Sequence, residues 1–311
     1  MGAGFAAALE SGDLAAVRAF PKADLHNHGG LSGDRAFLRE ATGIDIAPLA
    51  RPIGSMAEMA DWVNANIGPV LYREGGRLLG YEAAFRLALR DGVTRIRMGD
   101  DGELRRPGVS APELLSSLRE LHRRVAPQVE WIPLLGMSRH CAPADLQRWL
   151  APFLELGGFA VVDLWADEFA QPIEAFRPVY AIAEAAGLRL MAHVGEWGTA
   201  EDVRAAVEAL DLDEVQHGIA AADSPDVMRW LSERGVRLNV CPTSNVLLGR
   251  VKRLEDHPIR RLFDAGVKVT INTDDALVFG RSVSEEFLAL FDCGLFSGAE
   301  LDIIRANALD D

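Results

Sequence analysis

The chain has 311 residues, 49% of them hydrophobic and 25% charged, with a formal charge of −14. That composition supports a sizeable core and gives no sign of disorder. The acidic balance argues against a nucleic-acid groove, whose footprint is basic, and no apolar run reaches the roughly 20 residues that span a bilayer. Residues 1–20 include Glu10 and Asp13 and lack a basic segment ahead of the apolar stretch, so no signal peptide is read. The cysteines Cys141, Cys241 and Cys293 make no C-x-x-C pair. Neither a disulfide framework nor a thiolate zinc site is implied, and a reducing cytoplasm fits.

Along the chain, short β-forming runs bounded by turn residues alternate with amphipathic helical patterns. Strands are expected at 23–26, 93–98, 129–135, 159–164, 188–193, 214–217, 236–240 and 267–272. The clearest helices fall at 111–125, 172–186, 201–210, 224–234 and 258–265. Gly187, Gly235 and Gly266 stand where a helix stop is expected. Strand followed by helix, repeated in this way, predicts an α/β fold of the TIM (β/α)8 class, with residues 1–311 as one domain. A doubly wound sheet is the alternative, but no G-x-G-x-x-G follows an early strand. The stretch from 29 to 81 is too long for an ordinary connection. With helical pieces at 36–41 and 55–63, it is expected as a helical insertion after strand 1, placed over the active-site end.

Polar residues gather at the ends of these strands. His26 and His28 close the first, His193 the fifth and His217 the sixth, while Asp274 and Asp275 follow the eighth. Positions i and i+2 on an extended chain face the same way, and in a barrel the C-terminal strand ends converge on one rim. A lone histidine at a strand end is most often structural. Several on separate strands, with a carboxylate, suit a catalytic zinc ion that keeps room for water. His122 and His140 lie outside the set, as helix-surface or loop residues, and His257 precedes Pro258 as local structure at a helix start.

The runs PKADLHNH, HVGE, QHG, CPTSN, HP and TDD occur in this order between Pro21 and Asp275. Together they resemble the adenosine deaminase family of the amidohydrolase superfamily, a resemblance that extends to about Asn307. The resemblance implies one zinc ion per chain, held by His26, His28, His193 and Asp274. It implies replacement of a purine 6-amino group by oxygen. Glu196 would protonate ring N1, His217 would stabilise charge developing on oxygen, Asp274 would take the proton of the water, and Asp275 would contact ring N7. Binuclear relatives often bridge their ions through a strand-four lysine, and here the chain has no lysine between Lys22 and Lys252. Cys241, Thr243, Ser244 and Asn245 are expected to satisfy loop backbone rather than touch substrate.

Some positions depart from the family pattern. The family usually carries an acid two residues after the second histidine, where it contacts the ribose; this chain has Gly30. After strand four the usual Ala-Gly pair is replaced by Trp165-Ala166, so Trp165 either walls the base pocket or points into the helix layer. Gly30, Trp165, Ala166 and Asp275 are therefore the candidate substrate-binding residues. The expected partner is a small purine, with no nucleic acid and no membrane, and the sequence gives no oligomer signal. Hydrolysis of a different bond by the same metal site, and a binding homologue without turnover, stand as alternatives.

Overall fold

A computed structural model describes residues 2–101 and 110–310. Its strands are β1 Lys22–Asn27, β2 Val93–Asp101, β3 Glu130–Ser138, β4 Val161–Trp165, β5 Arg189–Val194, β6 Glu214–His217, β7 Arg237–Val240 and β8 Lys268–Ile271. Each pairs in parallel with the next in sequence, giving one sheet in the order β1 to β8. The inner face looks into the barrel and the outer face is covered by helices, so the strands are buried on both faces. This is why β1, β6 and β7 are buried throughout and read as near-continuous runs instead of alternating ones. The expected barrel is the observed fold.

Most strand ends shift from the sequence reading by one to three residues, with β2 running on to Asp101 and β3 to Ser138, and two of the shifts have plain local reasons. β4 begins at Val161, not at 159, because Gly157 and Gly158 turn the chain with φ of 69° and 90°. β8 ends at Ile271 because the side chain of Asn272 takes over the next ladder bonds. Its Oδ1 accepts from the Leu25 N–H at 2.8 Å and its Nδ2 donates to the Val240 carbonyl at 3.2 Å. Beyond it, the Asp274 N–H donates to the His26 carbonyl at 2.9 Å, a bridge that draws β1 and β8 together. The helix expected at 172–186 is a 3-10 turn, Ile173–Phe176, followed by the helix Arg177–Ala185, whose first turn contains Pro178.

The insertion holds a 3-10 turn, Gly29–Leu31, and helices Arg35–Thr42, Met56–Asn66 and Gly68–Leu71. Asp34 and Ser55 cap two of these helices through their side-chain oxygens. Leu38, Ile46, Met59, Ile67 and Val70 pack with Leu277 and Val278 into an apolar cluster distinct from the main core. At the opposite, N-terminal mouth, Glu214 accepts from Arg97 at 2.7 and 3.1 Å, from Arg237 at 2.6 Å, from Arg189 at 2.7 Å and from Asn239 at 2.8 Å. No helix among the described residues is long and apolar enough to cross a membrane.

Candidate active site

His26 and His28 leave β1 on the same side, with their Nε2 atoms 3.3 Å apart. His193 arrives from β5 with its Nε2 3.3 Å from that of His28. Asp274 follows β8, its Oδ1 3.2 Å from His28 Nε2 and 3.5 Å from His26 Nε2. The far nitrogens of two rings are engaged elsewhere. His26 Nδ1 lies 3.1 Å from the Asn239 carbonyl, and His193 Nδ1 lies 3.1 Å from the Asp163 carboxylate. A carbonyl or carboxylate only accepts, so these Nδ1 atoms carry the protons and the inward Nε2 atoms are bare.

Bare nitrogen lone pairs turned toward one another and a carboxylate repel unless a cation lies among them. Burial also holds His26 neutral, with its pKa pushed down to about 3, the form a metal needs. The donor set therefore fits a divalent metal of the zinc type. Among the described residues, four groupings have donor atoms that all lie within 4.8 Å of one another: His26, His193 and His217; His26, Cys241 and Asp274; His28, Asp274 and Asp275; and Glu196, His217 and Asp274. Burial pushes the Cys241 thiol up, away from the thiolate a metal would require.

Glu196 sits beside this cluster on the loop after β5. That loop is fixed by Glu168, whose carboxylate accepts from the N–H groups of Gly195, Glu196 and Trp197 at 2.8, 2.8 and 2.7 Å. The Glu196 side chain accepts from Trp197 Nε1 at 3.0 Å and from Asn245 Nδ2 at 3.3 Å. Burial raises its carboxyl well above the ordinary range, and the neighbouring Asp274 and Glu168 raise it further. His217 ends β6 with its Nε2 3.6 Å from Glu196 Oε1 and 4.0 Å from Asp274 Oδ2. His217, Asp274 and Ala166 all hold positive φ, at 63°, 57° and 82°. Such backbone is costly for non-glycine residues and concentrates at functional sites.

A cavity of about 360 Å3 joins these groups. His28, His193, Glu196, His217, Asp274 and Asp275 line it together with Trp165, Ala166 and Gly30. Trp165 thus faces the cavity rather than the helix layer alone. The insertion supplies apolar lining, Leu71, Met56, Met59 and Val63, and polar lining, Asn64, Tyr72 and Arg77. A side chain at position 30 would begin 3.4 Å from the Leu71 Cδ2. The structure thus brings the predicted acid, the substrate-contact residues and the ligands His28, His193 and Asp274 to one cavity, with His26 beside His28 but outside the lining.

The CPTSN segment behaves differently from the sequence expectation. Ser244 Oγ donates to Asp274 Oδ2 at 2.6 Å, Asn245 bonds Glu196 and His217, and the Thr243 N–H donates to Glu286 at 3.3 Å. The side chains of Ser244 and Asn245 thus support site residues, while Thr243 joins Glu286 and Arg281 away from them. Asp163 and Glu168 stand on either side of the Trp165-Ala166 pair and carry no role in the sequence reading. Their signal is a buried carboxylate whose partners arrive from other strands and loops.

The adenosine deaminase family model matches residues 116–311. A putative adenosine/adenine deaminase of Treponema pallidum is 36% identical over 93% of this chain and 97% of its own length. The chain belongs to the adenosine deaminase family. It is a deaminase of the hydrolase class. Among solved structures, the adenine deaminase of Arthrobacter aurescens is 26% identical with a TM-score of 0.80, covering 93% of this deaminase and 92% of that chain. An amidohydrolase from Burkholderia ambifaria with bound Zn shares the fold of this deaminase at TM-score 0.81 and 22% identity, covering 100% and 88% of the two chains.

Proposed function

We propose that this deaminase hydrolyses the exocyclic amine of a 6-aminopurine, releasing ammonia and the 6-oxo base, with one zinc-type ion held by His26, His28, His193 and Asp274. The observation that carries the reading is the joining of two kinds of group in one cavity. One is a set of inward-facing imidazole nitrogens with a carboxylate; the other is Glu196, a buried carboxyl biased toward its protonated form. A zinc ion bound by such a set supplies Lewis acidity and brings the pKa of water from 15.7 to about 7.

The remaining work falls to the chain. Glu196 donates its proton to ring N1, which draws electron density from the carbon bearing the amine. His217 lies between Glu196 and Asp274, where oxygen meets that carbon, and stabilises the charge developing there. Asp274, fixed by the Ser244 hydroxyl, receives one proton that oxygen loses and passes it to the amine. The C–N bond then breaks, ammonia leaves and the 6-oxo group forms, while the second O–H proton restores Glu196. Asp275 meets the N7 edge, and Trp165 and Ala166 wall the base.

At the Gly30 end, no side chain extends from position 30, and Leu71, Met56 and Met59 line the space. Asn64, Tyr72 and Arg77 also line the cavity, but the missing carboxylate at position 30 and the Leu71 side chain against it favour free adenine, or a nucleoside with an apolar 5′ substituent, over plain adenosine. A hydroxyl buried there without a partner would lose about 1–3 kcal/mol. No disulfide joins the three cysteines, in keeping with a cytoplasmic enzyme.

The test is a screen of metal-loaded protein against adenine, adenosine, deoxyadenosine and methylthioadenosine, following adenine absorbance and ammonia. We expect turnover of at least one, with kcat/KM higher for adenine or methylthioadenosine than for adenosine. Chelation should abolish it and added zinc restore it. No turnover of any 6-aminopurine, in protein of verified metal content, would overturn the proposal.

A further inference from the structure

Three buried side chains outside the metal set form a directed chain of hydrogen bonds that ends on His217. The Ile259 N–H donates to His257 Nδ1 at 3.1 Å. His257 Nε2 lies 3.2 Å from Asn245 Oδ1. Asn245 Nδ2 lies 3.3 Å from both His217 Nδ1 and Glu196 Oε1. His257 and Asn245 are fully buried, and His257 shares no contact with the metal-type cluster or the cavity.

Each link fixes the next. Because His257 Nδ1 accepts from a backbone N–H, the proton of the neutral ring sits on Nε2. Burial keeps that ring neutral, pushing its pKa down to about 3. The Nε2–H can only donate, so the Asn245 amide must turn its oxygen toward His257. Both hydrogens of the amide nitrogen are then committed, one to Glu196 and one to His217 Nδ1. A ring that accepts on Nδ1 carries its proton on Nε2.

We propose that His257 and Asn245 are positioning residues that fix His217 with its proton on Nε2, so that His217 acts on the reacting oxygen as a hydrogen-bond donor and not as a base. The inference rests on the proposed function for the place of His217 beside the reacting carbon. It also removes His217 from the ligand set, since a protonated Nε2 has no lone pair to offer a metal. His28 is thereby kept as the third imidazole.

The test reads the ring directly. Metal-loaded protein labelled with 15N in its histidines is studied by long-range 1H–15N correlation, with His217 assigned through a His217→Gln variant. The expected spectrum of the unaltered protein shows a neutral His217 protonated on Nε2. In His257→Leu the Asn245 amide is free to turn, so His217 should shift toward the Nδ1-protonated form. With it, kcat should fall about 10–100-fold, the usual cost of losing a supporting hydrogen bond at such a site. KM should stay within about threefold, because the contact matters most in the transition state. His257→Gln retains an amide donor toward Asn245 and should recover most of both losses. Asn245→Asp, nearly isosteric, places an acceptor against His217 Nδ1 and should draw the proton there. It provides the reading if His257→Leu does not fold.

A His217 protonated on Nδ1 in the unaltered protein would overturn the proposal. So would an unchanged ring pattern in the variants, since a merely structural role lowers stability without moving that proton. The spectra need no substrate. Absence of turnover with every 6-aminopurine would therefore sink the proposed function while leaving this inference standing.

Discussion

Glu214 and Glu196 are both buried glutamates, 1% and 9% exposed, at opposite mouths of one barrel. Burial raises the carboxyl of each, yet they end on opposite sides of the ordinary range. Arg97 and Arg237 outweigh burial at Glu214 and hold it well below. Glu196 has Asp274 and Glu168 nearby, which add to burial, and against these stand an indole N–H, an amide and the charge of Arg250, which does not bond it. The same side chain is thus an ionised strut at the N-terminal mouth and, in the proposed function, a proton carrier at the C-terminal one. Burial alone does not set the role of a carboxyl; the sign of its neighbours does.

Exchanging each glutamate for glutamine should break the comparison or sharpen it. Glu196→Gln removes the exchangeable proton, and kcat should fall about 10²–10⁴-fold. Metal content should hold, and the urea midpoint should stay level or rise, because no cation depends on this carboxyl. Full turnover in Glu196→Gln, or loss of its metal, would end the claim that the two ends differ in kind. Glu214→Gln should do the reverse. It leaves Arg97 and Arg237 without their buried counter-charge, a loss of about 3–5 kcal/mol of stability. The folded fraction should retain metal and kcat. A drop in kcat with unchanged stability would place Glu214 in the chemistry instead.

The sequence made the two ends unequally legible. The barrel could be read because β-forming runs recur between helical patterns, and the rim histidines because strand ends converge in such a fold. Glu196 could be placed because it follows His193 within one short motif. The supports of that rim were hidden. Glu168 grips the backbone of 195–197 from another loop, Asp163 orients His193 from the adjacent strand, and His257 reaches His217 through Asn245. None has a spacing that marks it, since each bond crosses between elements. The positive φ of His217 and Asp274 was equally hidden, because a histidine or an aspartate ordinarily occupies the common regions. At the N-terminal mouth the concealment was greater. Arg97, Arg189, Glu214 and Arg237 sit in strand runs where inward polar residues read only as interruptions.

The smallest expected effect isolates Glu214 through pH. Its carboxyl is held well below its ordinary value of 4.5, so its stabilisation is fully present above that pH and is lost as the pH falls toward the lower folded value. Other buried carboxyls act elsewhere on the scale. Burial pushes Asp24 up to about 6 and Glu286 up to about 7. Their contributions have the opposite sign, present in acid and lost as pH rises through those values. Asp163 is held low, as Glu214 is, by His193 against the effect of burial, and loss of metal in acid adds a further slope. Glu214→Gln leaves all of these in place. Urea unfolding of both proteins from about pH 6 down to about pH 3 should therefore show curves that run parallel above 4.5 and converge below it, as the unaltered protein loses the ion pairs its variant never had. Curves that stay parallel through the acid range would mean that Glu214 is not held ionised by Arg97 and Arg237. The contrast between the two mouths would then reduce to the state of Glu196 alone.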